Sequence, residues 1–252
     1  MPLHAADYVL AGAAAVAAGA VNAIAGGGTL ISFPTLIGLG VPAVASNVTN
    51  TVSLLPGYLS GAYTQRDDLR PQLARGRALA AVAAVGGLAG SILLLTIPSH
   101  AFRVAVPYLI VASCALLLFQ EPLRRRIGAS EPGRRGHGIA LTASCFGAAV
   151  YGGFFGAGLG IMLLAVLGLF SSDSLARVNA LKQALSFLIN LVAAVFFMFS
   201  GRVVWTLVPV MAACSLIGGW LGSRSVNLIP AGVLRRVVVV AGLAVAISLW
   251  VG

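Results

Sequence analysis

Charged side chains, and acidic ones above all, are scarce in this chain. Asp, Glu, Lys and Arg make up 9% of its 252 residues, whereas hydrophobic residues make up 59%. About 25% of the residues of an ordinary soluble domain are charged, so this composition cannot cover a water-exposed surface. Residues 8–65 include no Asp, Glu, Lys, Arg or His, and at about 1.5 Å per helical residue they are too many for one crossing of a bilayer about 30 Å thick. The lack of charge therefore predicts an all-α integral membrane protein.

Acids and bases that could carry chemistry are missing from the apolar segments. The six acidic residues and three histidines all lie in predicted loops or at helix ends. Without paired carboxylates, a Ser-His-Asp set or an HExxH motif, we expect no enzymatic activity, no cofactor and no metal ion. The three cysteines lie inside apolar runs without metal-ligand or CxxC spacing. The lack of buried carboxylates also argues against a proton relay or a sodium site.

The charge that is present comes mainly from arginine and gives the chain a net charge of +10. The arginines cluster between the apolar runs, in segments 64–77, 120–138 and 224–236. Cytoplasmic loops of membrane proteins carry such an excess of Arg and Lys, so the positive charge requires no nucleic-acid partner. We expect a multi-pass membrane protein whose arginine-rich loops are cytoplasmic.

The apolar segments form two halves with the same order of elements. Residues 1–119 are a predicted N-terminal membrane repeat, 120–138 a basic cytoplasmic linker, and 139–252 a C-terminal membrane repeat. Each half has one glycine-broken element and three spans, which makes about eight hydrophobic helical elements. The predicted elements are 8–39, 43–63, 78–97 and 102–119, then 139–170, 175–199, 203–222 and 233–251. Because the glycine clusters match at an offset of about 130 residues, an internal duplication is the simplest explanation.

The placement of arginine distinguishes two topologies. If both glycine-broken elements cross the membrane, segment 224–236 lies on the opposite side from the other basic loops. If each element dips in and returns, the three basic loops share one side, and only Arg103 and Arg202 lie on the other. The two halves are then inverted relative to each other, as in many secondary transporters. We favour this inverted arrangement, although the first apolar element is long enough to span.

Glycine clusters interrupt the two halves at matching positions. Residues 26–28 are three glycines between Asn22 and Thr29, and residues 152–160 include five glycines. Irregular backbone is tolerated inside a membrane only where it is buried in protein or lines a cavity. A half-helix that begins at such a break presents a positive N-terminal end, which suits an anion. Close helix packing of the GxxxG type is the alternative; for the two matched clusters we favour a site.

A polar stripe follows each break in an otherwise apolar helix. The stripes are Ser46, Asn47, Thr49, Asn50, Thr51 and Ser53 in the first half, and Asn179, Lys182, Gln183, Ser186 and Asn190 in the second. Asn179, then Lys182 or Gln183, then Ser186 and Asn190 recur at three- and four-residue steps and therefore share one helix face. Lys182 is the only lysine of the chain. It either snorkels to the interface or faces a cavity, where it is a counter-charge for an anionic substrate.

The first break resembles the signature of a known family. The residues that carry the resemblance are 19–34 (GAVNAIAGGGTLISFP), 40–42 (GVP) and 45–47 (ASN), and residues 176–182 (ARVNALK) are similar to its repeated segment. With the length, the central linker and the duplication, they resemble the sulfite exporter TauE/SafE family, of the toluene-sulfonate-uptake-permease type of anion permeases. The resemblance implies a bacterial inner-membrane permease for sulfite, sulfonates or related sulfur oxyanions. Leu159 and Ala165 depart from the family pattern, which has glycine and proline there.

We therefore expect a transporter that exports a small sulfur-containing anion by alternating access. Its expected partners are that anion and the lipid bilayer, and a homodimer is a possible assembly to test. The expected substrate-binding residues are Asn22, Gly26, Gly27, Gly28, Thr29, Asn47, Asn50, Gly156, Gly158, Asn179, Lys182 and Gln183. An anion channel is one alternative, which non-saturating flux would indicate. A non-transporting membrane scaffold or assembly protein is another, and it would show no substrate-dependent stabilisation.

Overall fold

The computed structural model describes residues 3–24, 26–127, 137–171 and 173–225, with residues 239–240, 242–244 and 246–247. Every regular element in these residues is helical, which confirms the all-α class. The helices are α1 (Ala5–Ile24), α2 (Thr29–Gly38), α3 (Ala43–Thr64), α4 (Arg66–Leu69), a short 3-10 helix (Arg70–Gln72), α5 (Leu73–Thr96), α6 (Ser99–Ile127), α7 (His137–Phe154), α8 (Leu159–Leu169), α9 (Leu175–Met198) and α10 (Val208–Arg224). Within this part, four segments are long and apolar enough to cross a bilayer: Ala5–Ile24, Arg66–Thr96, Ser99–Phe119 and Ala176–Met198.

The first glycine break lies in an antiparallel hairpin of α1 and α2. Gly28, directly before α2, lies so close to the Ala18 carbonyl of α1 that no side chain would fit. Leu36, near the end of α2, packs in the same core as Ala11 and Ala15 from the first half of α1. α2 therefore runs back towards the end of the bundle at which α1 begins.

α7 and α8 form a second hairpin of the same kind. The Leu159 side chain at the start of α8 covers Gly152 near the end of α7, and Leu167 packs in the same core as Cys145. Left-handed glycines make the two turns, with φ of +87° at Gly26 and +76° at Gly156, a conformation that residues with a Cβ atom rarely adopt. Both broken elements thus fold back on themselves at these glycine turns.

Two helix pairs join the halves through matching glycine contacts. α1 packs on α10 and α7 packs on α5, in each case where a glycine lets two backbones approach. The glycines and the carbonyl groups that they face are Gly86 with Phe146, Gly90 with Val150, Gly218 with Val16, and Gly222 with Ala20. The last two contacts repeat the first two, with each residue displaced by about 130 positions. Because the numbers rise together along both helices, the helices of each pair are parallel.

α3 and α9 pack against each other, and each also contacts helices of the other half. Gly61 of α3 lies against the Gln183 amide of α9, and one turn later the Gln65 side chain accepts a hydrogen bond of 2.7 Å from Asn179. Numbers rise along one helix as they fall along the other, so α3 and α9 are antiparallel. Asn179 and Gln183 of the second-half polar stripe lie in this interface.

Polar contacts also join the halves at the two ends of the bundle. At one end, Arg75 at the start of α5 pairs with Asp173 of the α8–α9 loop at 3.2 Å. This end carries the short helical segment 66–72 and is called the arginine end below. At the other end, the Val204 N–H donates to the Thr49 hydroxyl at 2.9 Å; the α2–α3 and α5–α6 connections lie there too.

Some boundaries differ from those predicted. α6 continues beyond residue 119 to Ile127, so part of the predicted linker is helical. α10 begins at Val208 rather than at residue 203, because the chain first turns at Gly201, whose φ is +67°. Residues 128–136 and 226–238, which hold much of the predicted linker and third basic segment, lie outside the described residues. The division into two membrane repeats therefore stays a prediction.

Candidate functional site

The two glycine breaks meet in the interior of the bundle. A Cβ atom built on Gly26 would lie 2.7 Å from the Cα atom of Gly160, in the first turn of α8, and the reverse distance is also 2.7 Å. Both glycines are buried. A side chain at either position would push the α1–α2 and α7–α8 hairpins apart.

Asn22 organises the first break. Its side-chain oxygen accepts a hydrogen bond of 2.7 Å from the Gly28 N–H, which ties the last turn of α1 to the start of α2. Thr29 is buried in the first turn of α2 and faces Tyr58 of α3, while Gly27 packs against α6. In this conformation one of the N–H groups at the start of α2 is already satisfied from within the protein.

Two residues that the sequence did not single out, Ser113 of α6 and Tyr151 of α7, hold the second break. Both hydroxyls lie within hydrogen-bond distance of the Ala157 carbonyl, at 3.0 and 2.7 Å, and they are 2.7 Å from each other. The Gly156 N–H donates to the Tyr151 carbonyl at 3.2 Å. Gly158 caps the start of α8 with φ of +77°. Tyr151 could have been found because it directly precedes the glycine cluster, whereas no pattern marks Ser113.

Each hairpin is capped by a helix of the other half. The Asn47 amide of α3 donates to the Phe154 carbonyl at the end of α7 at 2.9 Å. The Lys182 ammonium of α9 lies 3.4 Å from the Asn22 carbonyl in the last turn of α1. The last carbonyl groups of a helix lack intrahelical partners and carry partial negative charge, so both donors stabilise these ends. Through these contacts the polar stripes reach the breaks.

Lys182 is enclosed by protein, since only 1% of its surface is exposed. The ion pairs found among the described residues do not include it and all lie at the arginine end. They are Arg70–Asp67, Arg75–Asp173 and Arg177–Asp173. A buried charge is costly unless it is paired and hydrogen-bonded. An anion beside Lys182 would supply a charge that no described carboxylate supplies.

Several buried polar atoms in and around the α3–α9 interface have no hydrogen-bond partner within the described part of the protein. They are Ser32 Oγ, Asn47 Oδ1, Asn50 Oδ1, Ser53 Oγ, Gln183 Nε2 and Oε1, and Ser186 Oγ, with Gln65 Nε2 and Gln72 Oε1 towards the arginine end. Proteins pair nearly all of their buried polar groups, so a cluster of unpaired ones indicates water or a polar ligand. Ser186 lies one helical turn after Lys182 on α9, so on this evidence we add it to the expected binding residues.

Asn179 lies apart from the rest of the predicted site. It is half-buried near the start of α9, and its amide bonds Gln65 towards the arginine end. The structure thus brings the two glycine clusters together and connects them to Asn47 and Lys182. It leaves Asn179 in a contact between helix ends.

Comparison with known proteins gives consistent relatives over almost the whole chain. A "Probable membrane transporter protein" of Haemophilus influenzae is 30% identical over 230 residues, covering 87% of this chain and 85% of the relative. "Probable membrane transporter protein ORF9" of Sinorhizobium sp is 26% identical over 241 residues, covering 94% and 89%. "Probable membrane transporter protein YfcA" of Escherichia coli is 25% identical over 238 residues, covering 93% and 86%. No solved structure matches the chain.

The model of one protein family, described as Sulfite exporter TauE/SafE, matches residues 11–249. The match includes both glycine breaks and both polar stripes, and it covers far more than half of the chain. The relatives that resemble it along the same length carry names of membrane transporters, not of enzymes. This chain belongs to the sulfite exporter TauE/SafE family of membrane transporters.

Proposed function

We propose that this protein exports sulfite, an organosulfonate or a related small sulfur-containing anion across the bacterial inner membrane by alternating access. The anion binds where the two glycine breaks meet, and the arginine end faces the cytoplasm. The observation that carries the proposal is Lys182, which is buried beside the carbonyl end of α1 and forms no ion pair among the described residues.

The groups around Lys182 match an oxyanion. Sulfur oxyanions present several acceptor oxygens together with negative charge, and hydrogen bonds from charged or amide donors to such oxygens are strong. The Gln183 amide and the Ser186 hydroxyl, which have no partners among the described residues, are available donors on the same helix as Lys182. The N-terminal ends of α2 and α8 add partial positive charge from the two breaks.

The matching contacts of the two halves support an inverted repeat. α1 packs on α10 as α7 packs on α5, while α3 runs antiparallel to its repeat counterpart α9. In transporters with inverted repeats, the halves rock around a fixed site near the membrane midplane. The equivalent α1–α2 and α7–α8 hairpins would then close the pathway in turn, one on each side of the site.

The close approach of Gly26 to Gly160 supports a moving barrier rather than an open pore. With the backbones this near, an anion passes between the hairpins only if they separate. A channel instead requires a continuous path in one conformation. Alternating access therefore agrees better with this contact than channel conduction does.

Ligand binding is tested by the thermal stability of the purified protein with sulfite, thiosulfate, sulfate, sulfoacetate or a simple carboxylate, at matched ionic strength. A substrate at about 100 times its Kd should stabilise the folded protein by about 2.7 kcal/mol, and chloride should not. If none of these anions raises the melting temperature, the protein is better described as a scaffold.

Transport is tested in proteoliposomes with labelled sulfite. Saturable uptake that internal sulfite accelerates indicates a transporter, and non-saturating flux without this acceleration indicates a channel.

A further inference from the structure

A cavity of about 510 Å³ opens at the end of the bundle opposite the arginine end. One wall consists of residues 37 and 40–44, where α2 ends and α3 begins. The other wall is the first turns of α6, with Ser99, His100 and Arg103. Two of these three side chains can carry positive charge.

Arg103 is unusual on this side of the protein. The described arginines lie mostly at the other end, and only Arg202 shares this end with Arg103. Within the described residues Arg103 forms no salt bridge, and no acidic residue lines the cavity. The first turn of α3, a helix of 22 residues, also borders the cavity and adds partial positive charge. A concave surface with charge of one sign raises the local concentration of ions of the opposite sign.

The second half of the sequence carries an arginine at the corresponding place. Pro98 and Arg103 match Pro230 and Arg235, with the same spacing and with an apolar residue before each arginine. The number of residues between Arg103 and Arg235 equals the number between the packing glycines Gly86 of α5 and Gly218 of α10. Residues 226–238 lie outside the described part, so this match is one of sequence. In an inverted repeat, equivalent positions lie at opposite ends of the pathway.

From these observations we infer that the cavity is an anion-binding vestibule, in which Arg103, with His100 and Ser99 beside it, binds the transported oxyanion between the midplane site and the solution outside. The planar guanidinium suits this task because its fork of N–H donors matches the oxygens of an oxyanion. This inference rests on the proposed function and adds a second binding position to its pathway.

The electrostatic part is tested without measuring transport. A Ser99→Cys protein is treated with an anionic, sulfonate-bearing methanethiosulfonate and with a cationic, ammonium-bearing one, and the two rates are compared. The protein without Ser99→Cys gives the background from the native cysteines. Adding Arg103→Gln should lower the anionic-to-cationic rate ratio about tenfold, whereas Arg202→Gln should change it by less than about twofold. An unchanged ratio with Arg103→Gln would overturn the inference.

The transport part uses proteoliposomes with sulfite added on the face opposite the arginine end. Arg103→Gln should raise the KM from that face about tenfold, with an unchanged melting temperature, and Arg103→Lys should fall between it and the wild type. Arg202→Gln is the matched control. If wild-type protein transports sulfite and the Arg103→Gln protein has the same KM as the Arg202→Gln protein, the inference of a vestibule is wrong and the proposed function stands. If wild-type protein neither binds nor transports sulfite, the proposed function fails, and the rate ratio at Ser99→Cys still decides whether the cavity attracts anions.

Discussion

At the scale of single residues, the recognition of charge that we propose depends on Lys182. Lys182→Met keeps the apolar stem and removes the ammonium, so we expect the loss of about 2–5 kcal/mol of anion binding. Folding should change much less, because the lost contact with the Asn22 carbonyl is offset by relief of an unpaired buried charge. Sulfite titrations followed by melting temperature measure both effects.

Lys182→Arg serves as the comparison, because it keeps the charge while changing its shape. It should retain more of the sulfite response than Lys182→Met does. If the Lys182→Met protein binds sulfite with the wild-type Kd, Lys182 does not belong to the site.

The sequence could predict those site residues whose role follows from their own chemistry. Gly26 and Gly156 were predictable as chain breaks because only glycine readily takes their left-handed conformation. For Lys182 the sequence left a snorkelling and a cavity-facing position open, and the structure buries it. Ser113 was not, because its role depends on α7 and the Ala157 carbonyl reaching it through tertiary packing. Asn179 shares a helix face with Lys182, but it lies closer to the helix end and meets Gln65 there.

At the scale of elements, glycines determine how closely the helices pack. Gly90 lies against the Val150 carbonyl with no room for a Cβ atom, whereas Gly147 has open space around it. Gly90→Val should therefore destabilise the protein by about 2 kcal/mol or more, seen as a lower melting temperature. Gly147→Ala should be neutral or stabilise by up to about 1 kcal/mol, because alanine favours helix. Equal melting temperatures for the two variants would mean that α5 and α7 are not in such close contact.

Helix boundaries show where hydropathy is a poor guide. Apolarity falls after residue 119, but α6 continues to Ile127 because helical hydrogen bonds do not require apolar side chains. α10 starts later than its apolar run does, and Pro209 lies in its first turn, a position that proline favours. The broken elements were predicted well because glycine acts on the backbone itself.

At the scale of the whole molecule, the arrangement of loops predicts which residues can be reached from outside the cell. With the native cysteines replaced by serine, a membrane-impermeant maleimide should label Arg202→Cys in intact cells. It should label Asp68→Cys, at the arginine end, only after the membrane is opened, because basic loops stay in the cytoplasm. The reverse pattern would contradict the proposed orientation, and labelling of both in intact cells would contradict their assignment to opposite ends.

The pairing of α1 with α10 also bears on how the protein is made. α1 is synthesised well before α10, yet the glycine surface that it packs on belongs to that later helix. Until that helix emerges, the Val16 and Ala20 face of α1 must lie against lipid or a helper protein. α1 thus reaches these neighbours only after all of the helices between it and α10 have been made.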